Sequence, residues 1–401
     1  MSFSRRRLQS RVCAAGMLAA FLPSGMAGTV RVPCEMARDM MYVRVRINGS
    51  GPLWLNVDTG ASHSAINPEI AKMLGLREAE RGEASGIGRG QSTAFGRVDG
   101  ATIQVGEGVL RDQSILTMGM GFLASQLGHV TDGTLGWNIF HQYVVRMDYA
   151  HGEIELADAA DWKPEGAGVE LPIELRSNMP FVRAKVRLAN GNEAAGTFLI
   201  DSGMAGAAVA LNQAFQDAHP ELGAQRTIEM PPAISVGGAY RYRLTRISAL
   251  KIGPFTLTNP ITVLPEYSNG LLGDASIAGM IGADALSRFV VTFDYAHRRM
   301  FLRENARFTM PFESDMSGLQ LMARPPSLHR WEVTGVIADS PAGEAGIRKG
   351  DVIASVDGRT AADLTLGAVE EGFMRAGEVR RLAIQREGQE LRIDLRLRRL
   401  I

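Results

Sequence analysis

The chain repeats itself, and the repeat limits what it can become. Phe140-His-Gln-Tyr-Val-Val-Arg-Met-Asp-Tyr-Ala-His151 returns as Leu286-Ser-Arg-Phe-Val-Val-Thr-Phe-Asp-Tyr-Ala-His297, with Asp148 and Asp294 displaced by 146 positions. Leu135-Gly136 and Ile281-Gly282 keep the same displacement. Two copies of one supersecondary plan must each bury a face, so such a chain folds as paired, similar lobes.

Each copy opens on a strand in which apolar and basic residues alternate, as they do in a half-buried strand: Tyr42-Val-Arg-Val-Arg-Ile47 before the turn Asn48-Gly49, and Phe181-Val-Arg-Ala-Lys-Val-Arg-Leu188 before Asn190-Gly191. Apolar runs over 53–57 and 197–200 follow. They end in Asp58-Thr59-Gly60 and Asp201-Ser202-Gly203, 143 positions apart and so nearly in phase with the repeat. The signals then predict short helices: Asn67 caps one over 68–74 with Gly75 as its stop, and Asn212 caps one over 213–218 before Pro220. A glycine-rich hairpin follows in each copy, carrying Gly86, Ile87, Gly88 and Gly90 in the first, and Gly237, Gly238 and Tyr240 in the second.

The first 27 residues read as a secretory signal: Arg5, Arg6, Arg7 and Arg11, an apolar stretch over 12–22, then small residues including Gly25 and Ala27. That apolar stretch is shorter than the ~20 residues a spanning helix needs. No later segment is apolar for long enough to span a membrane. The expected destination is the bacterial periplasm or cell envelope, with retention as an uncleaved anchor as the alternative. Of 43 basic and 43 acidic residues, four basic ones leave with the signal, and the mildly negative remainder gives no reason to expect nucleic acid as a partner. Cys13 leaves too, so Cys34 has no intramolecular partner and reads as an incidental thiol. The seven histidines are scattered and form no metal-ligand spacing, so neither metal nor cofactor is expected.

Beyond Asn305 the pattern changes. Ser340-Pro341-Ala342, Ala345-Gly346-Ile347, Lys349-Gly350-Asp351-Val352-Ile353 and Val356-Asp357-Gly358 closely resemble a PDZ domain of the bacterial type. That family captures peptide C-termini as an added strand beside a carboxylate-binding loop. The resemblance implies that the loop here is Gly318, Leu319, Gln320 and Leu321, with Gln320 in place of a frequent glycine, and that its ligand is a C-terminal peptide.

A single Asp-(Thr/Ser)-Gly is uninformative, but two at equivalent points of a duplication are not. On these motifs, each followed by an apolar-apolar-Gly element, residues 38–304 resemble the pepsin- and retropepsin-like aspartic peptidases. The fold expected is mainly β: a two-lobed acid-protease fold with duplicated barrel-like lobes, plus a small α+β PDZ domain. The divisions expected are signal 1–27, lobe 1 over 28–165, lobe 2 over 166–305, linker 306–315 and PDZ domain 316–401. Asp58 and Asp201 would share one proton and activate a water to hydrolyse peptide bonds, because two adjacent carboxylates cannot both ionise comfortably. Gly60 and Gly203 allow close approach of backbone N–H groups, where a Cβ would crowd the site. By analogy with the family, Thr59 and Ser202 bond across the lobes, Ser62 supplies a hydroxyl beside Asp58 where the second copy has Ala205, and the hairpins serve as flaps. With two covalently joined halves, a monomer suffices.

Two other readings compete. Asp201-Ser202-Gly203 also resembles the nucleophile loop of trypsin-like serine peptidases, but its flanking glycines and a well-placed histidine are missing. A duplicated scaffold that binds peptides without cleaving them is the other.

Overall fold

The computed structural model describes residues 28–84, 93–266 and 270–401. The expected signal and the glycines Gly86, Gly88 and Gly90, with Ile87, lie outside these residues.

The repeated segments pair with each other. Strands Val144–Asp148 and Phe289–Asp294 run antiparallel with Val145 opposite Phe293, Arg146 opposite Thr292 and Met147 opposite Val291. Arg146 and Thr292 are themselves equivalent in the repeat, so the pseudo-twofold axis passes through that pair. These strands are the centre of a six-stranded sheet that draws Val30–Pro33 and Glu153–Ala157 from one side and Arg299–Glu304 and Val169–Pro172 from the other. Phe289, Val291, Phe293, Val145 and Met147 are fully buried in one core common to both lobes, which explains the near-continuous apolar reading of these strands.

Each lobe then builds the same local device. Strand Leu53–Val57 pairs in parallel with Gly133–Leu135, and strand Glu193–Asp201 pairs in parallel with Gly279–Gly282. The aspartates therefore sit at the C-terminal ends of buried strands, aimed at the same axis. Within a mainly β chain, the expected two-lobed acid-protease architecture is what forms.

The C-terminal part has its own core, centred on Trp331, Phe373, Leu366 and Val369, beneath the sheet order Leu319–Ala323, Trp331–Val336, Val352–Val356, Val379–Arg386 and Gln389–Arg396. Ser340 and Thr365 cap its helices Pro341–Glu344 and Leu366–Gly372 by accepting from Gly343 N and Ala368 N. Arg38 of lobe 1 grips Glu370 on the second of these helices. Strand Leu319–Ala323 lies at the sheet edge, and the lobe 1 helix Gly121–Leu127 packs on it. Ala124 of that helix meets the C-terminal core, and a Cβ on Gly128 would stand 2.6 Å from the Leu366 Cβ.

One cap differs from its expectation. Asn212 accepts from Phe215 N at 2.8 Å as an N-cap does. Asn67 sits before helix Pro68–Met73 but makes no capping bond. Its amide instead donates to Thr131 O and accepts from Met120 N, both at 2.8 Å, because two distant loops converge on it with unpaired backbone groups. Asn67→Ala strands the buried Met120 N–H and should therefore cost about 2 kcal/mol, read as a lowered urea midpoint by tryptophan fluorescence.

Candidate active site

The two acidic loops meet at the axis and are cross-linked by four hydrogen bonds. Thr59 Oγ1 donates to Ile200 O at 2.7 Å and accepts from Ser202 N at 3.0 Å. Ser202 Oγ donates to Val57 O at 2.9 Å and accepts from Thr59 N at 3.0 Å. Both hydroxyls are about 1% exposed, so every donor and acceptor in this small network is consumed inside it. This also removes Ser202 as a nucleophile: its oxygen is buried, and it bonds backbone rather than a histidine.

With the loops fixed, the carboxylates of Asp58 and Asp201 come into hydrogen-bond contact. Gly60 N donates to Asp58 Oδ1 at 2.8 Å and Gly203 N to Asp201 Oδ1 at 2.9 Å. The glycines are required by space. A Cβ on Gly60 would lie 2.6 Å from Asp201 Cγ, and one on Gly203 would lie 2.4 Å from Asp58 Cγ, distances no side chain tolerates. Each lobe's glycine is thus the floor under the other lobe's acid.

Burial raises both acids above the usual carboxylate range, since it penalises the charged form. Asp201 goes well above it, because Asp58's charge adds to desolvation. Asp58 is raised less: N–H of Gly60, the proton of Asp201, and the side chains of Thr134 and Asn56 all favour its anion. Thr134 Oγ1 lies 3.4 Å from Asp58 Oδ2. Ser62 does not take this role, for its hydroxyl pairs with His63 Nδ1 at 3.3 Å. Asn56 and Thr134 are absent from the sequence reading. The strand alternation that puts Asn56 on the face of Asp58 could have found the first, whereas Thr134 needs the register of a non-local pair.

A cavity of about 1960 Å³ opens from the two acids. One wall is the hairpin of strands Ala233–Ser235 and Gly238–Tyr240. Its turn uses Gly237 and Gly238 at φ of 94° and 101°, values that favour glycine. The hairpin reaches across to lobe 1: Gly237 N donates to Thr93 Oγ1 at 3.2 Å, Val236 packs with Met118 and Met120, and Ile234 O accepts from Gln126 at 2.9 Å. Tyr240 faces the cavity beside Tyr242, ring centroids 5.3 Å apart.

The loop over 318–321 also lines this cavity through Leu319, Gln320 and Leu321. Gly318 N donates to Asp315 Oδ1 at 3.1 Å and Leu319 N to Ser317 Oγ at 3.0 Å, so these two donors are already engaged within the chain. Gln320 reaches out and donates to the carbonyls of Pro231 and Pro232, each at 3.3 Å, just before the hairpin. Burial pushes the Asp315 carboxyl up to about 7. Cys34 is equally unreactive as a thiolate, for burial pushes it up to about 12. No cluster of potential metal ligands occurs among the described residues.

A pair of hydrogen-bonded aspartates at the axis of two like β-lobes, each on an Asp-(Thr/Ser)-Gly loop, is the arrangement of an aspartyl protease. Residues 43–139 match the family model described as aspartyl protease, and residues 332–396 match the PDZ domain model. The chain therefore joins a segment similar to an aspartyl protease to a C-terminal segment similar to a PDZ domain. An aspartic proteinase from Irpex lacteus, known from its crystal structure, is 14% identical and superposes with a TM-score of 0.45 over 71% of this chain and 99% of that one. No curated protein sequence matches the chain.

The raised acids make stability depend on pH in a definite direction. A carboxyl whose folded pKa lies above its unfolded value contributes stability in full below the unfolded value, near 3.8 for aspartate. That contribution is lost as pH rises through the folded value. Asp201→Asn removes the charge that forms at high pH, so the variant should melt above wild type at alkaline pH and level with it in strong acid, by differential scanning fluorimetry across the range.

Proposed function

We propose that the chain is an exported aspartic endopeptidase of the bacterial envelope, hydrolysing peptide bonds with a water held between Asp58 and Asp201. The observation that carries this reading is the mutual approach of two buried acids, one from each lobe. A water oxygen attacks the scissile carbonyl carbon while its proton passes to the ionised carboxylate. The protonated carboxyl gives its proton to the carbonyl oxygen, yielding a neutral diol. Collapse of the diol breaks the C–N bond, and a proton moves to the departing nitrogen, leaving acid and amine products and no covalent enzyme intermediate. The size of the cavity and the hairpin over it suit an extended polypeptide segment.

Cleavage of a denatured protein at mildly acidic pH, suppressed by a statine-type inhibitor, tests this reading. Asp58→Asn and Asp201→Asn should each lower kcat/KM by at least about 10³-fold; undiminished cleavage in both would overturn the two-acid mechanism, and a wild type that binds peptides but cleaves none would leave a peptide-binding scaffold as the better account.

The PDZ domain in this reading is part of the cleft, and its ligand is a peptide C-terminus that competes with the chain's own helix Gly121–Leu127 for the edge strand Leu319–Ala323. Backbone groups on an edge strand are the usual attachment for an added peptide, and here a helix covers them. Ala124→Asp turns a charge toward the C-terminal core and should lift the helix away. Binding of a labelled peptide with an apolar C-terminus, followed by fluorescence polarisation, should then tighten about tenfold.

A further inference from the structure

The two catalytic loops are alike in backbone and cross-lobe bonding, yet the floor beneath the two acids is not. In lobe 1 the parallel register sets Asn56 beside Thr134. In lobe 2 the same register sets Leu199 beside Met280, both fully buried. These are the equivalent positions of the repeat, two residues before each aspartate and two before each Gly136 or Gly282. An amide and a hydroxyl thus underlie Asp58, while two apolar side chains underlie Asp201.

We propose that Asn56 and Thr134 act as a polarising pair that fixes Asp58 as the ionised, water-activating acid and leaves the shared proton on Asp201. This rests on the peptidase reading above. Asn56 is 1% exposed, and its amide favours the Asp58 anion, while its own Oδ1 has no hydrogen-bond partner among the described residues. A buried amide oxygen left unpaired is costly, and strand alternation sets this side chain on the same face as Asp58. Thr134 Oγ1 stands 3.4 Å from Asp58 Oδ2, and at the same distance from the backbone carbonyl of Asn56, its partner in the parallel register.

The remaining surroundings do not supply this polarity. Each acid receives the N–H of the glycine two residues on, and Asp201 gains a second backbone donor in Met204, which works against the asymmetry rather than for it. Burial raises the hydroxyls of Tyr42, Tyr295 and Tyr149, so none of these tyrosines adds a charge near the pair. Burial lowers the His63 imidazole in the same cleft, which disfavours its charged form. Ser62 is turned to His63, and Ala205 has no hydroxyl. Asn56 and Thr134 are positioning residues: they act on substrate only through the charge of Asp58.

The test is the pH dependence of kcat/KM for the full chain. A carboxylate that loses a donor ionises at higher pH, so the acidic limb should move up by about one pH unit in Thr134→Val and in Asn56→Leu. Thr134→Ser, which keeps the hydroxyl, should stay with wild type. Val matches Thr in shape, so Thr134→Val decides the matter alone if Asn56→Leu fails to fold. An acidic limb that stays in place in the folded variants would overturn the proposal. Carbon-13 NMR of labelled aspartate carboxylates gives a readout that needs no turnover: the lower macroscopic step of the pair should rise in the same variants. A wild type that cleaves nothing would sink the peptidase reading, while the carboxylate titration would still judge the polarising pair.

Discussion

Everything chemical in this protein depends on the reciprocal bonding of Thr59 and Ser202. Two carboxylates repel when charged and lose hydration when buried, so neither lobe would hold its acid against the other unaided. The four bonds between the loops fix the approach geometrically before any charge is considered. Gly60 and Gly203 then remove the only side-chain bulk that could intervene. The central pairing of the 144–148 and 289–294 strands serves the same end from below, since it sets the axis about which the loops are symmetric.

Symmetry brings the acids together, and their surroundings depart from it. One proton shared between identical sites would sit on either acid. Here the cross-strand neighbours differ, amide and hydroxyl against leucine and methionine, and burial makes that difference count because a low dielectric magnifies each donor. A second departure lies outside the lobes. The hairpin over the cleft is tied to lobe 1 at its tip and to Gln320 of the PDZ domain at its base. The edge strand of that domain is in turn covered by a lobe 1 helix. The hairpin and the C-terminal domain are thus parts of one connected structure.

Much of the architecture was legible because duplication is a sequence property. The repeated Val-Val-x-x-Asp-Tyr-Ala-His segments announced two lobes, and the paired tripeptides drew attention to Asp58 and Asp201 with their glycines. What stayed hidden is non-local. Asn67 has every local sign of a cap, but loops carrying Thr131 and Met120 claim its amide. Ser62 occupies the expected position after the tripeptide, yet a neighbouring imidazole takes its hydroxyl, and the donor to Asp58 comes from Thr134, far along the chain. The loop over 318–321 reads as a carboxylate-binding loop, but Asp315 and Ser317 already hold its first two N–H groups. In each case the residue was visible and its partner was not.

The central claim is that one proton is held between two acids contributed by different lobes. Neutron diffraction from crystals grown at mildly acidic pH counts it directly. The account predicts a single deuteron in the carboxylate pair, bound to Asp201 and directed at Asp58. Two deuterons, none, or acids separated by intervening solvent would contradict it.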